Sequence, residues 1–384
     1  MPVSPVEQRP ARTALCLCGG GITGGMYEIG ALAALDDFIV GRDGGDAFSL
    51  NDFDVHVGTS AGSILATCIA SGVPARKLFR AALEDDASFM PARRTDIFRF
   101  DARQGLGFAR DLIGVALSST AQAVRGKMEL RDIPGIVING LLDALPAGVF
   151  SLRHYERYLE RFLKHHGIPT RFADVRRELY ITANDLDSGH RVLFGQDELA
   201  EVPIATAICA SSAIPLFFEP IRWRGRDFID GAVGKVEHAD VALARGCDLI
   251  IVVNPLVPIF NDPDREGLPT PLVGARHLRD KGLLAVYSQA GKMSTRTKLH
   301  QGLKRYKASH PGAAILVIEP PADESDIFLA NPMSFSSQGR MLRFGYESTA
   351  RLLQSQLPQW EVAFAKHRVR VDAGRLRNAW ELSA

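Results

Sequence analysis

Ser60 lies in Gly58-Thr59-Ser60-Ala61-Gly62, a G-x-S-x-G that follows a short apolar run and opens a stretch of small residues with helical character. A serine at such a strand-to-helix turn is held in a strained backbone conformation, and the flanking glycines Gly58 and Gly62 relieve the crowding there. Its hydroxyl then projects at a helix N-terminus, where partial positive charge favours a developing alkoxide. Acyl transfer by a serine also needs N–H donors aimed at the carbonyl oxygen that becomes an oxyanion. The stretch Cys18-Gly19-Gly20-Gly21-Ile22-Thr23-Gly24-Gly25 offers them, since a loop without side chains can turn several amides toward one point. Gly19, Gly20, Gly21 and Gly24 are therefore the candidate oxyanion-hole residues. The group expected against this bare main chain is a substrate's carbonyl oxygen.

Such a serine needs a base. His56 sits inside the run before the elbow and reads as structural, and most other histidines fall in charged or loop surroundings. His238, eight residues after Asp230, would give the order Ser, Asp, His of an α/β-hydrolase. That fold usually places several more strands before its elbow than the two expected here. Asp230-Gly231-Ala232 offers another solution, an aspartate at a strand end followed by glycine, close enough to a serine hydroxyl to accept its proton. Free aspartate, with a pKa of about 3.9, is a poor base for an alcohol, so this solution demands a partly dry pocket. Gly19, Gly21 and Gly24 also form a G-x-G-x-x-G, the dinucleotide fingerprint, which calls for an acidic residue at the end of the second strand. Asp43 and Asp46 lie near the right distance but in a glycine-rich loop, and the second strand ends in the serine instead. On the residues alone, three readings stay open: a Ser60 hydrolase, a non-catalytic acyl- or lipid-binding regulator, and a nucleotide-binding enzyme.

The elements that must position these residues follow from periodicity. Thr13–Cys18 reads as a buried strand, and Met26, Ile29, Leu32 and Leu35 predict a helix from about Gly25 to Phe38. A strand over 53–57, a helix over 60–71 closed by Gly72, and a further helix opened by Pro74 follow. Leu179–Asn184 and His190–Phe194 read as a hairpin around Asp187-Ser188-Gly189, with a helix over 203–212 after it. Asp227–Asp230, Leu249–Asn254 and Ala314–Ile318 are further strands, before a mostly helical tail. Strands alternating with helices predict a three-layer α/β domain with a mostly parallel sheet. Residues 88–149 differ in texture: eight basic and five acidic side chains over 88–135, net 8 − 5 = +3, precede the apolar group Ile136 to Leu145. This segment reads as a helical insertion that packs on the main domain. It could also cover the site as a lid or meet an anionic membrane surface.

Composition narrows the class. The chain has 384 residues, 46% hydrophobic and 23% charged, which suits a soluble globular protein. A net charge of +1 gives no global field that favours nucleic acid. The five cysteines show no C-x-x-C spacing and read as buried thiols in a reducing compartment. The N-terminus lacks an apolar signal core, and no run approaches the ~20 apolar residues of a membrane span. A cytoplasmic location, with peripheral contact to membranes, is expected; the oligomeric state is left open.

Taken in order, G-G-G-x-x-G, G-T-S-A-G and D-G-A resemble the patatin-like phospholipase family. "MYEIGALAAL" is similar to its first helix, "YITANDLDSGHRVLF" to its central hairpin and "ASSAIPLFFEPIRWRGRDFIDGAV" to the approach to its aspartate. The resemblance implies a three-layer α/β/α patatin-like catalytic domain over 11–255. A flexible N-terminus over 1–10 and a C-terminal region over 256–384, with one further strand plus helices, would flank it. It implies a lipid acyl hydrolase that cleaves carboxylic esters of phospholipids or related lipids without metal or organic cofactor. Ser60 would be its nucleophile and Asp230 its base, with the oxyanion held around Gly20 and Gly21. Two features depart from the family pattern. Thr23 stands where many members carry Arg or Lys, and Gly24-Gly25 lengthens the glycine loop by one residue. Phe217, Phe218, Trp223 and Phe228 are candidates for lining an acyl channel.

Overall fold

The computed structural model describes residues 11–84, 97, 146–235, 237–262, 264, 276–324 and 337–376. The expected flexible N-terminus and almost all of the expected 88–149 insertion, its apolar group included, lie outside those residues. The first half of the described chain runs β1 (Arg12–Leu17), α1 (Gly21–Phe38), β2 (Ile39–Arg42), β3 (Val55–Thr59), α2 (Ala61–Ala70) and α3 (Ala75–Leu83). Next come β4 (Gly148–Phe150), α4 (Arg153–His165), β5 (Glu178–Asp185), β6 (Arg191–Phe194), α5 (Ile204–Ser211), β7 (Leu216–Phe218), β8 (Ile221–Trp223) and β9 (Arg226–Asp230). The last part is α6 (Ala239–Ala244), β10 (Cys247–Val253), α7 (Leu283–Ser309), β11 (Ala314–Ile318), α8 (Gln338–Ser355), α9 (Leu357–Ala365) and β12 (Val369–Val371).

The main sheet has the order β11-β10-β1-β3-β5-β9-β8, with β6 also paired to β5. From β11 to β5 all pairs are parallel, and β6, β9 and β8 add an antiparallel end. Successive residues of a strand point to opposite faces. Leu15, Leu17, Leu249, Ile251 and Val253 accordingly join the larger core with α1, α2 and α8, whereas Ala14, Cys16, Ile250 and Val252 join a smaller one with α6. Both faces are covered, which is why these strands read as continuous apolar runs. All five cysteines are free and buried.

Two differences from the sequence expectation matter for the site. Helix α1 begins at Gly21 rather than near Gly25, with Gly20 at φ +118° before it. Its first turn is glycine-rich and carries no apolar periodicity, so nothing in the pattern announced it. Gly24-Gly25 therefore lies within the helix and does not lengthen the loop. The short strands β2, β4, β7, β8 and β12, of three or four residues each, were not expected. They form two small pairings and one sheet edge.

The C-terminal elements are built into the same core. β11 hydrogen-bonds along β10, β12 pairs with β2, and α8 packs along α1. At that crossing the two helices touch backbone to backbone. A Cβ on Gly30 would lie 2.2 Å from the Leu342 carbonyl oxygen, and one on Gly345 would lie 2.3 Å from the Tyr27 carbonyl oxygen.

Candidate active site

Strand β5 brings together two residues that are far apart in sequence. β3 runs parallel to it and ends with Thr59 opposite Thr182. β9 comes from the other direction, antiparallel, and ends with Asp230 opposite Ala183, the next residue of β5. The two strands thus stop head to head along one edge of β5, one register step of about 3.3 Å apart. Ser60 follows the end of β3, and Asp230 is the end of β9. The Thr59 and Thr182 hydroxyls, 2.8 Å apart, tie the junction. The Asn184 amide donates to the Asp230 carbonyl at 2.8 Å.

Ser60 has φ +52° and ψ −129°, a strained geometry for a residue with a side chain, and it precedes α2 directly. Its N–H donates to Ser211 Oγ at 2.8 Å, and its carbonyl accepts from the Ser63 amide at 2.9 Å and hydroxyl at 2.5 Å. The elbow glycines permit close packing: a Cβ on Gly62 would lie 2.7 Å from the Leu17 carbonyl oxygen, and one on Gly58 would lie 2.5 Å from Ser63 Cα. Ser60 itself is buried, at 4% exposure.

Asp230 is 3% exposed. Burial pushes its carboxyl up from 3.8 to about 6, against hydrogen bonds from the Ala232 amide and the Ser60 side chain that favour the charged form. The Ala232 N–H to Oδ1 distance is 2.7 Å. Gly231 is needed because a Cβ there would lie 2.3 Å from the Thr182 carbonyl oxygen. The carboxyl therefore sits in a dry setting beside the Ser60 turn, and burial makes it hold its proton up to about pH 6.

The glycine loop is turned differently from the expectation. A Cβ on Gly19 would lie 2.4 Å from the Thr59 carbonyl oxygen, and Gly19 has φ +77°. The neighbour that excludes a side chain here is the serine elbow of the protein itself rather than a substrate carbonyl. Of the four expected oxyanion donors, two are already engaged: the Gly19 N–H donates to Glu28 Oε1 at 2.7 Å, and the Gly24 N–H donates to the Gly20 carbonyl at 3.1 Å. Gly20 and Gly21 carry the remaining amides, at φ +118° and +67°, and Gly21 borders the same cavity as Ser60 and Ala61.

That cavity has a volume of about 110 Å³ and is mainly apolar, with Met26, Ile29, Ile64, Leu65 and Phe162 among its walls. Phe218 also lines it. Phe228 is fully buried and packs edge-on against Phe194 at 5.3 Å, while Phe217 and Trp223 pack on the core. Neither histidine of interest serves Ser60. His56 Nε2 lies 3.2 Å from the Leu50 carbonyl oxygen, and burial lowers its pKa to about 4. His238 Nδ1 lies 3.2 Å from Arg191, which pairs with Asp240, and burial is the main cause of a pKa lowered to about 3.

Two residues of the site were not found by sequence reasoning. Ser211, at the end of α5, fixes the elbow amide and carries no motif. Glu28 lies inside an apolar helix with no exposure, and burial raises its carboxyl to about 8 while Oε2 has no hydrogen-bond partner. A charged residue inside the otherwise apolar run Met26–Leu35 was the available signal. Thr23 is buried in the first turn of α1. Among the described residues, no helix is long and apolar enough to cross a membrane, and no group of three or more His, Cys, Asp or Glu could hold a metal ion.

The crystal structure of VipD from Legionella pneumophila is similar at 15% identity and a TM-score of 0.38, covering 90% of this chain and 67% of VipD. That of the type III effector protein ExoU is similar at 15% identity and a TM-score of 0.36, covering 91% of this chain. The chain spans about half, 53%, of ExoU's length. No curated protein matches the sequence. The family model described as Patatin-like phospholipase matches residues 15–242, more than half of the chain. With the three motifs at the ends of β1, β3 and β9 and that match across them, the chain belongs to the patatin-like phospholipase family.

Proposed function

We propose that this lipid hydrolase cleaves carboxylic esters of phospholipids or related lipids through an acyl-enzyme on Ser60, with Asp230 as base. The observation that carries the reading is the strand register that brings the end of β3, just before Ser60, and the end of β9, at Asp230, to adjacent positions along β5, with Asp230 buried and its pKa raised to about 6. A base is most useful when its pKa lies near the working pH, and burial has moved this carboxylate in that direction. Asp230 takes the hydroxyl proton as Ser60 Oγ forms a bond to the ester carbonyl carbon. The carbonyl oxygen becomes an oxyanion that faces the Gly20 and Gly21 amides at the start of α1. Collapse breaks the ester C–O bond, and the proton on Asp230 passes to the departing alkoxide. Water then repeats the cycle: Asp230 takes a proton as the water oxygen bonds to the acyl carbonyl carbon, the acyl–Ser60 bond breaks, Ser60 Oγ takes the proton from Asp230, and the fatty acid leaves.

The apolar cavity beside Ser60 supports an acyl chain as the part of the substrate that is bound. Thr23, short and uncharged, offers no cation to a phosphate head group where many family members carry Arg or Lys, which weakens the case for phospholipids over neutral esters. The test is fluorophosphonate labelling together with release of fatty acid from a lipid panel, in wild type, Ser60→Ala and Asp230→Asn. Both variants are expected to lose turnover, and Ser60→Ala to lose the label. Labelling of Ser60→Ala at the wild-type level would overturn the assignment.

A further inference from the structure

Helix α7 presents an unusual surface. Leu283, Val286, Tyr287, Ala290 and Met293 recur at i, i+3, i+4, i+7 and i+10, the spacing of one helix face. In most helices that face is buried; here it is open. Leu283 is 78% exposed and Met293 56%, and Val286 and Tyr287 are exposed as well. Phe260, another exposed apolar side chain, lies beside the helix, with the Arg296 guanidinium 5.8 Å from its ring centre. Followed toward the C-terminus, the same exposed face changes character and carries Thr297, Gln301, Lys304 and Arg305. The helix is held from its other side, by Gln289 bonded to the Ile259 backbone and by Tyr306 bonded to Lys235 and Glu237.

Charge distinguishes the helix from the rest of the protein. Over its 27 residues it carries Lys292, Arg296, Lys298, Lys304, Arg305 and Lys307 and no acidic residue, in a chain whose net charge is only +1. An occupant of this face must therefore be apolar toward one end and anionic toward the other. A second copy meeting it through the same helix would offer the same cations and no acidic group. The interface of an anionic bilayer offers acyl chains and negative head groups together.

We propose that α7 is an interfacial helix that docks the protein on an anionic lipid surface, its N-terminal turns entering among the acyl chains and its C-terminal turns resting on the head groups. The proposal does not depend on the chemistry at Ser60 and is tested apart from it. Full-length protein carrying Ser60→Ala, so that no vesicle is hydrolysed, is co-sedimented with phosphatidylcholine vesicles with and without phosphatidylserine. Binding is expected to require phosphatidylserine and to weaken as salt is raised. Two further changes are each introduced separately, Leu283→Asp with Met293→Asp, and Lys304→Glu with Arg305→Glu. Each pair is expected to lower vesicle binding about tenfold or more. All four side chains are exposed, so the same changes made in the wild-type background are expected to leave hydrolysis of a soluble short-chain ester unaltered. Equal vesicle binding by wild type and both variants would overturn the proposal. So would light scattering that shows a wild-type dimer dissociated by Leu283→Asp, since the stripe would then be a contact between copies.

Discussion

Replacing Asp230 by Asn separates what this carboxylate does for chemistry from what it costs the fold. The carboxyl is 3% exposed, and burial raises its pKa from 3.8 to about 6. At about 1.4 kcal/mol for each tenfold in proton affinity, that gap corresponds to about 3 kcal/mol. Its sign follows from proton binding. Between about pH 4 and pH 6 the folded state holds this proton and the unfolded state has lost it, so stability falls as pH rises across that window. Below the window the group is neutral in both states and costs nothing; above it the full penalty is present. Asparagine keeps an oxygen for the Ala232 amide and never ionises, so the variant escapes the penalty. Urea unfolding of both proteins at about pH 4 and about pH 7 is the assay. The stability of Asp230→Asn relative to wild type is expected to rise by about 2 kcal/mol between the two conditions, while turnover is lost. In wild type, kcat/KM is expected to drop about tenfold per pH unit below about pH 6, as the base is protonated. A stability difference that does not change with pH, or that changes in the opposite direction, would refute the burial argument.

Glu28 and the α1–α8 crossing give two further expectations. Glu28→Gln keeps an oxygen for the Gly19 N–H and should retain activity, whereas Glu28→Ala leaves that buried N–H unpaired, at a cost of about 1–3 kcal/mol. If the cost falls on the placement of the glycine loop, kcat/KM for a soluble ester drops by about ten- to hundredfold. Equal rates in the two variants would show that the contact does not support the loop. Gly30→Ala forces a methyl against the Leu342 carbonyl oxygen, and thermal unfolding should report a loss of about 3 kcal/mol or more.

The parts of the molecule that were legible in the sequence are those where one residue type has a single physical use. The long buried strands β1, β5, β10 and β11 showed as apolar runs because both of their faces are covered. The elbow showed because few other turns put a serine between two glycines after a strand. The start of α1 did not show, because glycine has little helix propensity and the first turn is held by its position after β1 rather than by composition. The roles of Gly19 and Gly24 could not be read from the letters either. A glycine that frees an amide for a ligand and a glycine that lets two backbones touch are the same residue, and only the distances to the Thr59 carbonyl, for Gly19, and to the Gly19 carbonyl, for Gly24, separate them. The meeting of Ser60 with Asp230 depends on two strands ending on one edge of β5, and no local pattern encodes that register. Ser211 contributes through a single hydroxyl contact of the same long-range kind.

The backbone contact between Gly30 and Leu342 ties α1 to a helix that lies far along the sequence from it. During synthesis the glycine loop and α1 leave the ribosome early, but the helix that backs them is encoded more than three hundred positions later. Until that helix arrives, the flank of α1 that meets it has no cover. The backing of α1 is thus completed only once α8 has been made, and a product cut short before α8 would carry all three sequence signatures without that support.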